Sequence, residues 1–171
     1  MSNNARVIVL VEDQRHEIFI RRYLYQLGYG HHDIRFEPLP NGRGCGEQWV
    51  RDRCSKVVAI YRARQAQKAL LIVIDADKHT VAKRISQLPG DRSESEAIAF
   101  LVPKRHIETW ILCLHGERVD EQTDYHLRKV DHLIKPAAVT LRTWMRTATL
   151  PPHCVDSLRT AFAELQRIPS A

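Results

Sequence analysis

The 171-residue sequence predicts an α/β domain: a mostly parallel, Rossmann-like four-stranded sheet flanked by helices, with a C-terminal helical appendage. Three observations lead there. Four short apolar runs are strand-sized, none approaching a membrane span. A segment of helical period follows each run. The connections between them are rich in turn residues and hold no linker long enough to divide two domains. Residues 1–116 read as the core and 117–171 as an extension of the same domain.

The elements follow in order. "RVIVLV" (6–11) is unbroken and apolar, as a strand buried on both faces must be. In "RHEIFIRRYLYQLGYG", Ile20, Tyr23, Leu24 and Leu27 keep helical spacing until Gly28 and Gly30 stop it. "DIRFEPL" (33–39) is the second strand, and "PNGRGCG" (40–46) a glycine-rich turn. From Glu47, the residues Trp49, Val50, Val57, Val58 and Tyr61 trace one face of a long helix. "LLIVID" (70–75) is the third strand. Thr80 caps a short helix carrying Val81, Ile85 and Leu88. "AIAFLVP" (97–103) is the fourth strand, and "HIETWILCLHG" a helix ended by Gly116. The polar stretch "ERVDEQTDYHLRK" reads as irregular, and two helical pieces separated by "LPP" complete the chain. Trp49, Trp110 and Trp144 all fall on apolar helical faces, as core residues do.

Composition narrows the function classes. An apolar fraction of 44 % with 27 % charged residues is that of an ordinary globular protein. The N-terminus lacks the basic start and apolar stretch of a signal peptide, so a cytoplasmic location is expected and no membrane partner. Cys45, Cys54, Cys113 and Cys154 form no C-x-x-C pair and read as buried free thiols. A net charge of +6 permits a polyanionic partner without demanding one.

The acids are more informative. Ligands of a parallel α/β sheet bind beyond the carboxyl ends of its strands. Glu12 ends the first strand there, and Asp75 and Asp77 end the third. Glu108 opens the helix after the fourth strand, and Glu17 lies one turn into the first helix. Carboxylates ~4 Å apart repel by about 1 kcal/mol in water and several times more in low dielectric. A cation would neutralise such a cluster, and hard oxygen donors without Cys or His point to Mg²⁺ or Mn²⁺. Lys104, between the fourth strand and Glu108, would stabilise a transition-state phosphate and Arg105 and Lys78 would add positive charge; the alternative is that all three are solvated loop residues. In "NGRGCGE", Arg43 sits among glycines before a helix, either a phosphate seat or a plain turn.

The order "VLVEDQRHE", "LIVIDAD", "VPKRHIETWILCLH" resembles the Toprim catalytic domain, most of all the small RloB-like and OLD-type branch of bacterial defence proteins. Glu12 and Glu17 hold the first motif's acid positions, and Asp75 and Asp77 form the Asp-x-Asp of the second. Pro103, Ile107, Glu108 and Trp110 fill the third, with His115 at a further matching position. The likeness spans roughly residues 6–116. Asp13 stands where that family has Gly, and His16 replaces its usual hydroxyl residue. The resemblance implies a Mg²⁺- or Mn²⁺-dependent nuclease acting in antiviral defence, with nucleic acid as partner. Any ATPase partner would be a separate chain, and a homo-oligomer is compatible with the sequence. Two alternatives stand beside it. One is a non-catalytic subunit that binds nucleic acid or a partner ATPase. The other is a haloacid-dehalogenase phosphatase, disfavoured because His79 stands where that motif has Thr or Val.

Overall fold

The computed structural model describes residues 5–40, 46–64, 68–89 and 91–171. Its strands are β1 (Val7–Val11), β2 (Ile34–Phe36), β3 (Ala69–Val73) and β4 (Ile98–Leu101). They form one sheet in the order β2-β1-β3-β4, every pair parallel. The helices are α1 (Gln14–Gln26), α2 (Glu47–Ala63), α3 (Val81–Ser86), α4 (Ile107–Leu114), α5 (Ile134–Thr147) and α6 (Asp156–Leu165).

Strand order and handedness together fix the layers. The chain runs outward from β1 to β2, then returns past β1 to β3. Right-handed crossovers therefore place α1 on one face and α2 on the other. Alternation along the strands matches this. Val7, Val9 and Val11 pack with α1, α4, α5 and α6, whereas Ile8 and Leu10 face α2 and the α3 segment. All five residues of β1 and of β3 are buried, which explains their unbroken apolar runs.

The C-terminal helices belong to the main core. Ala137, Ala138 and Leu141 of α5 and Leu158 and Ala161 of α6 share the β1 cluster. Trp110 is fully buried there, and its indole N–H donates to Ser157 Oγ of α6 at 2.7 Å. The outer edge of β4 is closed by side chains. Phe100 N–H donates to Glu164 Oε2 at 2.8 Å, and Ile98 O accepts from Arg92 at 2.8 Å. Arg92 also pairs with Glu164 and lies 4.1 Å over the Phe100 ring. Unpaired strand edges recruit other strands, and this pair blocks that.

Asp13 caps α1, its Oδ1 accepting from His16 N–H at 3.0 Å, and Thr80 caps α3 through Lys83 N–H at 3.0 Å. Among the described residues no helix is long and apolar enough to cross a membrane. Cys54, Cys113 and Cys154 are buried free thiols, and burial pushes the Cys54 thiol up to about 12.

Candidate metal centre

Register brings the first acids together. β1 pairs with β3 from Val7↔Ala69 to Val11↔Val73. Continuing that ladder sets Glu12 beside the residues that lead into Asp75, and Glu12 Oε2 accepts from Asp75 N–H at 2.9 Å. The meeting point lies between β1 and β3, where the strand order reverses. That is where open α/β sheets bind ligands.

The β3–β4 ladder also continues past its strands. Ala76 N–H donates to Pro103 O at 2.8 Å, and Asp77 N–H to Arg105 O at 3.2 Å. This isolated bridge holds Asp77 and Arg105 together, both left-handed, with φ of 51° and 67°. Asp tolerates such a backbone better than Arg. Strain of this kind, about 1–3 kcal/mol per residue, concentrates at functional sites.

Two histidines enter the cluster, against the expectation of an all-oxygen site. His16 is fully buried, with Nδ1 2.8 Å from Asp13 Oδ1 and Nε2 2.9 Å from Asp75 Oδ1. Burial opposes the charged ring, but the Asp75 and Asp13 carboxylates overcome it, so His16 titrates well above the ordinary histidine range. Asp13 is correspondingly held far below the usual carboxylate range: burial opposes this, and the hydrogen bond to His16 prevails. His106, the residue before α4, places Nδ1 3.4 Å from Asp75 Oδ2 and 3.7 Å from Asp77 Oδ1. Its hydrogen bond to Asp75 raises its pKa. The protein thus supplies part of the countercharge itself. For His16 alone the sequence carries a signal, its place three residues after the helix-capping Asp13.

Carboxylate crowding remains at Glu12 and Asp77. Burial and then the Asp75 charge push Glu12 up to about 7. The same two causes raise Asp77.

The other predicted acids lie elsewhere. Glu108 is buried, but its carboxylate is paired with Arg15, which also reaches Asp131 at 3.2 Å. Glu17 accepts from Arg21 at 2.6 Å, an ordinary i,i+4 helix pair. Neither belongs to the group formed by Glu12, His16 and Asp75, whose donor atoms lie within 4.8 Å of one another. The resemblance puts both among the metal ligands, whereas here Arg15 holds Glu108 and Arg21 holds Glu17.

A cleft of about 390 Å³ opens beside Asp77, lined among others by Lys78, Arg84, Arg105, His106 and Asp124. Arg84 is buried, its guanidinium 2.8 Å from Glu47 and 3.5 Å from Asp77. Lys104 donates to the His79 carbonyl at this rim, so its ammonium is tied to backbone. Arg105 lies 3.6 Å from Asp124. Arg43 falls outside the described residues.

Compared with protein-family models, curated proteins and solved structures, the chain matches none. Asp124 and His126 come from the polar stretch before α5, where the sequence carries no periodicity to single them out.

Proposed function

We propose that the chain is a Mg²⁺- or Mn²⁺-dependent phosphodiesterase of nucleic acid, a nuclease of Toprim type. The observation that carries this reading is the Glu12–Asp75 contact at the switch point of the sheet, with Asp77 beside it and a cationic rim next to it.

The donor set fits such an ion. Glu12 Oε2 and Asp75 Oδ1 are engaged by protein donors, so Glu12 Oε1 and Asp75 Oδ2, the latter shared with His106 Nδ1 at 3.4 Å, would hold it. One or two carboxylates plus water and substrate oxygens is a usual Mg²⁺ environment. Burial and the Asp75 charge raise Glu12, and a nearby cation would favour its charged form, which supports this reading. When bound, the ion supplies Lewis-acid polarisation of a phosphoryl oxygen. The chain's own residues do the rest. His16 fixes the Asp75 carboxylate from its buried side. Lys78 and Arg105, at the cleft rim, would bind phosphate oxygens, Arg105 in exchange for Asp124. Asp77 and His106 are the groups within reach to hold or move a proton.

Cleavage of labelled DNA and RNA with Mg²⁺ or Mn²⁺ tests this reading. Glu12→Gln and Asp75→Asn should each lower the rate at least ~100-fold, as loss of a transition-state electrostatic contact does. Variants that cut as fast as the parent would remove the assignment.

A second reading rests on the internal countercharges. His16 neutralises Asp75 and Arg15 neutralises Glu108 without any added ion, as a non-catalytic binding subunit would allow. It predicts that divalent cations raise the melting temperature with no cleavage of any nucleic acid.

A further inference from the structure

We infer that His106, Asp124 and His126 form a separate site for a nitrogen-preferring transition ion of the Zn²⁺ type. Its donors differ from Glu12 and Asp75, so it stands whether or not the nuclease reading holds.

One donor atom from each of the three residues lies within 4.8 Å of the other two. Asp124 Oδ1 is the shared centre, 2.8 Å from His126 Nδ1 and 3.4 Å from His106 Nε2. A tetrahedral ion with bonds of about 2.0–2.1 Å spaces its donors about 3.3 Å apart. The longer contact already has that spacing, and the shorter one needs to open by roughly half an ångström. The rings are tilted by 54° with centroids 5.7 Å apart, so they are not stacked.

Ligand chemistry selects the ion. Two imidazoles and one carboxylate suit Zn²⁺ and neighbouring transition metals, whereas Mg²⁺ takes oxygen donors. Three protein ligands leave a fourth position for water or substrate, the pattern of catalytic rather than structural zinc. The side chains remain accessible, at 22 % exposure for His106, 41 % for Asp124 and 53 % for His126.

A second observation concerns the far side of the His106 ring. Its Nδ1 faces Asp75 Oδ2 at 3.4 Å and Asp77 Oδ1 at 3.7 Å. Metal-bound histidines carry a carboxylate or carbonyl at the other nitrogen, which fixes the tautomer and aims the ligating atom. Here the carboxylates direct Nε2 toward Asp124. A surface Asp–His hydrogen bond accounts for Asp124 with His126 alone. The second imidazole, backed by two carboxylates, converges on the same oxygen, where Zn²⁺ would take the place of the proton on His106 Nε2.

The test uses the full chain without an affinity tag, stripped of metal with a chelator. Zn²⁺ titrated against a chromophoric chelator should show one equivalent bound, and Co²⁺ should give the intense visible bands of four-coordination. His126→Ala and Asp124→Asn should each weaken Zn²⁺ at least about tenfold. Their far-ultraviolet circular dichroism and melting temperature should match the parent, since both residues are exposed. Glu12→Gln should keep Zn²⁺ affinity within about twofold, even if it abolishes cleavage. Failure to bind one equivalent, or His126→Ala and Asp124→Asn binding like the parent, overturns the site. Loss of Zn²⁺ in Glu12→Gln also overturns it, by placing the ion at the other centre.

Discussion

Glu12 Oε2 accepts the backbone N–H of Asp75 at 2.9 Å, tying the ends of β1 and β3 together across 63 residues of sequence. The contact is made by a crowded carboxylate. Its folded pKa of about 7 lies above the ordinary value of 4.5, so the folded state binds the proton more tightly than the unfolded one. The Glu12 contribution to metal-free stability should therefore fall as pH rises from about 4.5 to about 7 and then level off. Glu12→Gln keeps an acceptor without the charge. It should be more stable than the parent by about 2–3 kcal/mol at pH 8 and show no gain at pH 4, in urea melts with chelator present.

His16→Ala should be among the most damaging single changes. The ring is fully buried between Asp13 and Asp75, and its removal leaves carboxylates without their partner. Breaking a buried pair in this way costs about 3–5 kcal/mol. The contribution of the charged ring is complete below the unfolded value near 6.5. It fades as pH rises through the folded value, well above that. The deficit of the variant should accordingly be larger at pH 6 than at pH 10, measured by urea unfolding at both.

Glu164→Ala should expose the edge of β4. The Phe100 N–H loses its acceptor and Arg92 its carboxylate. A loss of about 1–3 kcal/mol is expected from the unpaired donor. Light scattering on warming should also show earlier association than in the parent, because a free edge templates strand addition.

Glu17→Ala separates the structure from the motif. Its carboxylate serves Arg21 on the surface of α1. Loss of an i,i+4 pair costs about 0.5 kcal/mol or less. Mn²⁺ affinity, read by calorimetry, should stay unchanged, whereas Asp75→Asn should lower it by an order of magnitude or more.

The sheet was legible in the sequence because β1 and β3 are buried on both faces and so read as unbroken apolar runs. Glu12, Asp75 and Asp77 were legible because strand ends punctuate those runs. Strand β2 proved shorter than its apolar pattern, ending at Phe36; its pairing with β1 runs from Ile34 to Phe36, with Glu37 N–H donating to Val9 O at 2.9 Å. Glu108 and Glu17 were misplaced for a different reason. Sequence position told which end of the sheet they occupy, but not that Arg15 and Arg21 would claim them. His106 was passed over between Lys104 and Glu108. Its role depends on the Asp77–Arg105 bridge, a tertiary feature with no local signature. The C-terminal segment looked peripheral because its helices are amphipathic, yet their apolar faces complete the α1 layer.

The position of β1 in the sheet also bears on when the site comes into being. Its neighbour on one side, β3, arrives only after two crossovers, so their zipping requires closure of a long loop. Glu12 and Asp75 are therefore far apart in a partly folded chain, and a divalent ion has no preformed clamp to nucleate upon. Cations should leave the refolding rate nearly untouched and slow unfolding instead, so that their benefit is kinetic durability of the finished molecule.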